Sequence, residues 1–252
     1  MDQPDVEVIV ARDPADLATR AADMFAALAL AAGVEWRTIS VALAGGSTPR
    51  AMYELLAGDS YHEGIHWPLI HFFWGDERYV PADNKDSNYR MAYDALLSKV
   101  PVPEANIHRM VTDYPDENTA AEAAARDLTE HFKLNPGEFP RFDLVLLGLG
   151  DDGHTASLFP GKPTLHEQTR LVVPTPPGRL PPPVDRLTMT LPVLNAAAHV
   201  VFLVAGAGKA GIVGEILGSA ENPEPYPAQL VSVPNGRLTW MLDEAAAAEL
   251  HR

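Results

Sequence analysis

The chain has no cysteine among its 252 residues. That absence removes disulfides, thiolate nucleophiles and cysteine-ligated zinc together, and it fits a reducing, cytoplasmic setting. Basic residues are scarce: 19 Lys and Arg stand against 34 Asp and Glu, a formal net charge of -15. Such a balance disfavours nucleic-acid and anionic-membrane partners, so any anionic ligand must be held by a local basic cluster. Long apolar runs are missing too. The longest, Met24 to Val34, is bracketed by Asp23 and Glu35 and is about half the length of a membrane span. The opening "MDQPDVEV" is acidic where a secretory signal is basic, so no targeting segment is expected.

What is present is an ordinary globular composition, 46% hydrophobic and 21% charged. Helix-like and strand-like hydrophobic periods alternate from end to end, the pattern of a Rossmann-like α/β fold: a mainly parallel sheet flanked by helices on both faces. That continuity predicts one domain over residues 1–252, with the Pro-rich stretch Pro174 to Pro183 wrapping an edge. A helix is expected from Pro14 to Gly33, and a strand over Thr38 to Ala44. A second helix follows, capped by Ser47 or Thr48 with Pro49 at its first position. "LIHFFWGDERYV" reads as a strand entering a charged loop, and "NYRMAYDALLSKV" as a helix. A long helix is expected over Glu117 to Leu134, strands at Phe142 to Gly150 and His199 to Gly206, and a helix from about Gly208 to Leu217. Arg237 to Leu250 reads as a closing strand and helix.

Ligands in open α/β sheets sit beyond the carboxyl ends of the strands. Four turns fall there: Gly45 to Pro49, Gly75 to Val80, Gly148 to His154, and Ala205 to Lys209. "GLGDDGH" contains the dinucleotide string Gly148-x-Gly150-x-x-Gly153, but Asp151 and Asp152 would set two carboxylates beside a pyrophosphate. "HEGIH", His62 to His66, matches a zinc-protease string, but Gly64 and the flanking Gly58 and Pro68 argue for a loop. No His-rich metal motif is apparent, and neither a metal nor an organic cofactor is expected.

Gly45, Gly46, Ser47 and Thr48 suit an anion at a helix N-terminus. Asp76 and Arg78 end a strand, Arg186 precedes a short apolar one, and Lys209 stands among glycines. An Arg there can grip a phosphate or carboxylate through its planar fork. His154 follows a strand, a glycine turn and two carboxylates. A carboxylate on one ring N–H would leave the other nitrogen free as a general base.

"LAGGSTP", "WGDERYVP", "DSNYRMA", "GLGDDGHTASLFPG", "RLTMTLPVLNAA" and "WMLDEAAA" together resemble the 6-phosphogluconolactonase family along nearly the whole chain. The resemblance implies the fold of the glucosamine-6-phosphate deaminase group and hydrolysis of 6-phosphoglucono-1,5-lactone to 6-phosphogluconate, the second step of the oxidative pentose phosphate pathway. It makes His154 the base and Asp152 its carboxylate neighbour. Gly45, Gly46, Ser47, Thr48, Arg186 and Lys209 become phosphate and substrate contacts, with Asp76 and Arg78 on the cleft wall. The expected oxyanion donors are amides of the Gly148 to Gly153 turn, or Arg78. The expected partner is a phosphosugar lactone, met by a monomer or small homo-oligomer. Two alternatives remain: an amino-sugar phosphate deaminase of the same fold, and a phosphosugar-binding module without turnover.

Overall fold

A computed structural model describes residues 6–178, 182–218 and 226–250. Its centre is a six-stranded sheet of β1 (Val6–Ala11), β2 (Ile39–Leu43), β3 (Ile70–Trp74), β5 (Leu144–Leu147), β8 (His199–Val204) and β9 (Arg237–Asp243). The strands lie in the order β1-β9-β8-β5-β2-β3, and every pairing is parallel. From β2 the chain steps outward to β3, then returns to β5 on the other side. The crevice of this α/β sheet therefore opens between the ends of β2 and β5.

Helices cover the sheet because their apolar stripes have nowhere else to go. The first, α1 (Pro14–Val34), starts where Asp13 accepts from Asp16 N at 2.8 Å. It has the length and hydropathy of a membrane span, yet Leu17, Ala21, Phe25, Ala29 and Ala32 are buried in the core. The second, α2 (Ser47–Leu56), leads into one helical turn, α3 (Asp59–His62). The others are α4 (Asn88–Ala92), α5 (Glu117–Phe132), α6 (Leu191–Asn195) and α7 (Ala210–Leu217).

A second sheet, not foreseen from sequence, contributes Asp76, Arg78 and Arg186 to the cleft. It holds β4 (Asp76–Arg78), β6 (Val172–Thr175) and β7 (Arg186–Met189) in the antiparallel order β4-β7-β6. Asp76 and Arg78 thus stand on a strand and not in a loop, and Arg186 opens β7. Gly75 joins the sheets: its N–H donates to Leu43 O at 3.0 Å, and its carbonyl accepts from Met189 N at 2.8 Å. The cleft forms where they diverge.

Other expectations shift locally. The cap of α2 is Gly46, at φ +103°, with Ser47 and Thr48 already inside the first turn. A left-handed cap is open to glycine without the steric cost a hydroxyl residue would meet. The α4 segment widens into a π turn over Tyr93–Leu97. After β9, residues 244–250 coil in hydrogen-bonded turns. Asp243 draws Ala246 N back to its own carboxylate at 2.8 Å. In "HEGIH", α3 ends at His62, while His66 lies beyond it beside Trp36, so the two histidines share no helix face. Part of the Pro174 to Pro183 segment lies outside the described residues.

Candidate active site

All four turns named from the sequence meet at one cleft of about 250 Å³. Gly45 and Gly46 come from the end of β2, Asp76 and Arg78 from β4, Gly148, Gly150 and His154 from the end of β5, and Lys209 from the turn before α7. Arg186 joins them from β7. The side chains of Ser47 and Thr48 do not line it. Their place in the first turn of α2 leaves their N–H groups without intrahelical acceptors, so the backbone is what that turn offers an anion.

The β5 turn exists to hold an imidazole. Gly150 N donates to His154 O at 2.8 Å, and Gly153, at φ +75°, donates to Gly150 O at 3.0 Å. His154 Nδ1 lies 2.5 Å from Asp152 Oδ1, which also accepts from His154 N at 3.2 Å. Burial works to raise the Asp152 carboxyl, but the His154 bonds and nearby charge outweigh it and hold the group below its ordinary value. Asp152 itself lines the adjoining depression with Tyr226 and Glu215; it acts on the cleft through His154. The ring packs against Phe159 at 4.8 Å between centroids, and with Nδ1 occupied its remaining nitrogen is Nε2. The "GxGxxG" spacing therefore serves a histidine turn, not a dinucleotide.

The basic side is built by register. Arg78 on β4 pairs directly with Arg186 on β7, two like charges opposed across a ladder, an arrangement that destabilises a sheet unless an anion compensates. Arg186 is 4% exposed, stacks on Phe159, and leaves a buried Nε without a partner. Arg78 donates through Nη1 to Asp86 O at 2.7 Å, and its buried Nε is also unpartnered. Burial, with Arg78 adding to it, lowers the Arg186 guanidinium from its ordinary value against the pull of Asp76; an arginine stays charged regardless. Among the described residues neither arginine has a carboxylate at ion-pair distance, whereas Lys209 pairs with Asp151. A buried guanidinium and a half-buried one, each with an unpartnered N–H, are chemically suited to a strong oxyanion.

Several residues that position the expected Asp76 and its neighbours escaped the sequence reading. Asp76, 7% exposed, accepts from Ser157 Oγ at 2.5 Å and from Asn88 Nδ2 at 3.2 Å. Glu77 is buried and gathers Arg78 N, Asn88 N, Tyr89 N and Ser87 Oγ at 2.7 to 3.0 Å. It thereby fixes the chain between β4 and α4. Asp243 accepts Gly206 N with both oxygens at 3.0 Å and so anchors the turn that bears Lys209. Asn88 and Ser157 lie inside the strings "DSNYRMA" and "GHTASLFPG", where polar residues interrupting apolar ones were the only signal.

This is the architecture of a phosphosugar-handling α/β protein, and relatives place it. The family of glucosamine-6-phosphate isomerases/6-phosphogluconolactonase matches residues 12–240, and the chain belongs to it. It is 47% identical over 211 residues to the 6-phosphogluconolactonase of Synechocystis sp., covering 84% of each chain. The solved 6-phosphogluconolactonase of Trypanosoma brucei superposes with a TM-score of 0.86 at 31% identity, over 99% of this chain and 100% of that one. A monomeric glucosamine-6-phosphate deaminase shares the fold, at TM-score 0.79 and 19% identity, over 96% of this chain and 99% of the other.

Proposed function

We propose that the chain hydrolyses 6-phospho-D-glucono-1,5-lactone to 6-phospho-D-gluconate, with His154 as general base. The observation that carries this reading is a juxtaposition: one cleft holds both the opposed Arg78 and Arg186 and a histidine whose Nδ1 is taken by a carboxylate. A phosphate on Arg186, Lys209 and the amides at the start of α2 sets the lactone carbonyl beside His154, and that anchoring makes the attack effectively unimolecular. Asp152 accepts the Nδ1–H hydrogen bond and stabilises the imidazolium that forms when Nε2 takes the proton.

In the reaction His154 Nε2 takes a proton from water as the water oxygen bonds to the carbonyl carbon. The carbon–ring-oxygen bond then breaks, and the proton passes to that oxygen. Gly150 N and Gly153 N are already engaged inside their turn. The oxyanion donors expected from sequence narrow to the other amides of the Gly148 to Gly153 turn and Arg78.

The deaminase alternative needs a carboxylate soon after the histidine for ring opening. Here the turn continues Thr155 to Phe159, and the next carboxylate, Glu167, binds Arg170 Nε at 2.7 Å and the amides of 168–170. The test is to generate the lactone from glucose 6-phosphate and follow ring opening with excess 6-phosphogluconate dehydrogenase. Acceleration over the spontaneous reaction is expected; ammonia release from glucosamine 6-phosphate without lactone turnover would overturn the assignment.

A further inference from the structure

Three histidines far apart in sequence converge at the other end of the sheet. His71 is the second residue of β3, His108 follows β3's neighbouring turn, and His131 lies in the last turn of α5. One donor atom from each lies within 4.8 Å of the other two, and all three rings are half-buried. His71 Nδ1 and His108 Nε2 stand 3.1 Å apart, close to the edge of a tetrahedron around zinc, about 3.4 Å for zinc–nitrogen bonds of about 2.0–2.1 Å.

The outer partners fit a ligand set. His108 Nδ1 is 3.0 Å from both oxygens of Asp127. A carboxylate there accepts a hydrogen bond from Nδ1–H and leaves Nε2 with its lone pair toward His71, the arrangement that orients histidines on zinc. His131 Nε2 is held by Ser40 Oγ at 2.9 Å, which leaves Nδ1 as its open nitrogen among the described residues. Phe73 stacks on the His108 ring at 4.2 Å and 7°, with Phe132 and Phe142 behind it, so the rings are braced by packing. The cluster is separate from the cleft: His71 precedes Gly75 by four residues, about 13 Å of strand.

We propose that His71, His108 and His131 form a binding site for a single zinc-class divalent ion, with Asp127 orienting His108. Three imidazoles without cysteine select borderline ions such as zinc over calcium or magnesium, which prefer oxygen. The site ties β3, the loop at His108 and the end of α5 together, so the bound ion stabilises the folded chain.

The test uses the purified full chain, treated with chelator and then titrated with zinc chloride by calorimetry and thermal unfolding, and with cobalt chloride by visible absorption. Expected are one equivalent bound, a melting temperature that climbs with zinc, and the visible bands of tetrahedral cobalt. The His71→Ala/His131→Ala pair should lose all three. Asp127→Asn, which keeps the packing, should weaken zinc binding by about 10–100-fold while lactone turnover stays unchanged. Zinc binding that survives the double variant would put the ion elsewhere, such as at Asp151, Asp152 and His154, and would overturn the site. So would the absence of stoichiometric binding to the wild type, or an Asp127→Asn variant with undiminished affinity.

Discussion

Gly150 and His154 leave no room for a methyl group between them: a Cβ on Gly150 would lie 2.0 Å from His154 Nδ1. The ring rests on the bare backbone of the turn that carries it, and this contact aims the imidazole at the cleft. Gly150→Ala is expected to displace the ring and lower kcat about 100-fold or more. Gly148→Ala, whose Cβ would meet nothing within 4 Å, should stay near wild type. Steady-state kinetics on the pair decides it; equal effects would mean the contact does not position the base.

Arg186 and Arg78 make a charge prediction. Arg186→Ala removes a buried guanidinium whose charge-assisted bonds are worth about 1.5–3 kcal/mol each, so KM for the phosphorylated lactone should rise about 10–100-fold. Turnover of an unphosphorylated lactone should hardly change. Arg186→Lys should not rescue, because a point charge lacks the planar fork. Equal losses on both lactones would argue against a phosphate role.

Much of this site was legible in sequence, because a strand followed by Gly and a charge is a local signal and the sheet rule gathers such turns at one end. Gly45, Arg78, His154 and Lys209 reach one cleft for that reason. Ser47 and Thr48 were misjudged because hydroxyl side chains read as caps, whereas the chain caps α2 with Gly46 in a left-handed conformation. The second sheet went unseen since β4 is three charged residues whose partner β7 lies over a hundred positions away. The His71, His108 and His131 cluster has no spacing signature, because its members come from separate elements joined only by packing.

Asp243 ties the Lys209 turn to β9 through its carboxylate, which accepts the Gly206 backbone N–H. Asp243→Asn sets an NH2 donor against Gly206 N–H where an oxygen accepts at 3.0 Å, while Oδ1 still serves Ala246 N. The cost should be about 1–3 kcal/mol, read as a lower urea midpoint, together with a raised KM. An unchanged midpoint would show that the anchor is not needed.

Asp152 sets a pH dependence. Its carboxyl is held below the ordinary value of 3.8, so the folded chain binds this proton less readily than the unfolded one. The stabilisation is present above that ordinary value and is lost as pH falls through the lower folded value. Asp152→Asn should lose less stability than wild type on acidification across that range, measured as urea midpoints at matched pH. Parallel curves would mean the His154 contact contributes nothing to folding.

The most direct measurement is kcat for lactone hydrolysis by wild type and by His154→Ala, with product affinity measured alongside. A fall of about 100-fold to 10,000-fold at near-constant 6-phosphogluconate binding is expected of a lost general base. A His154→Ala enzyme that turns over at near the wild-type rate would contradict the account.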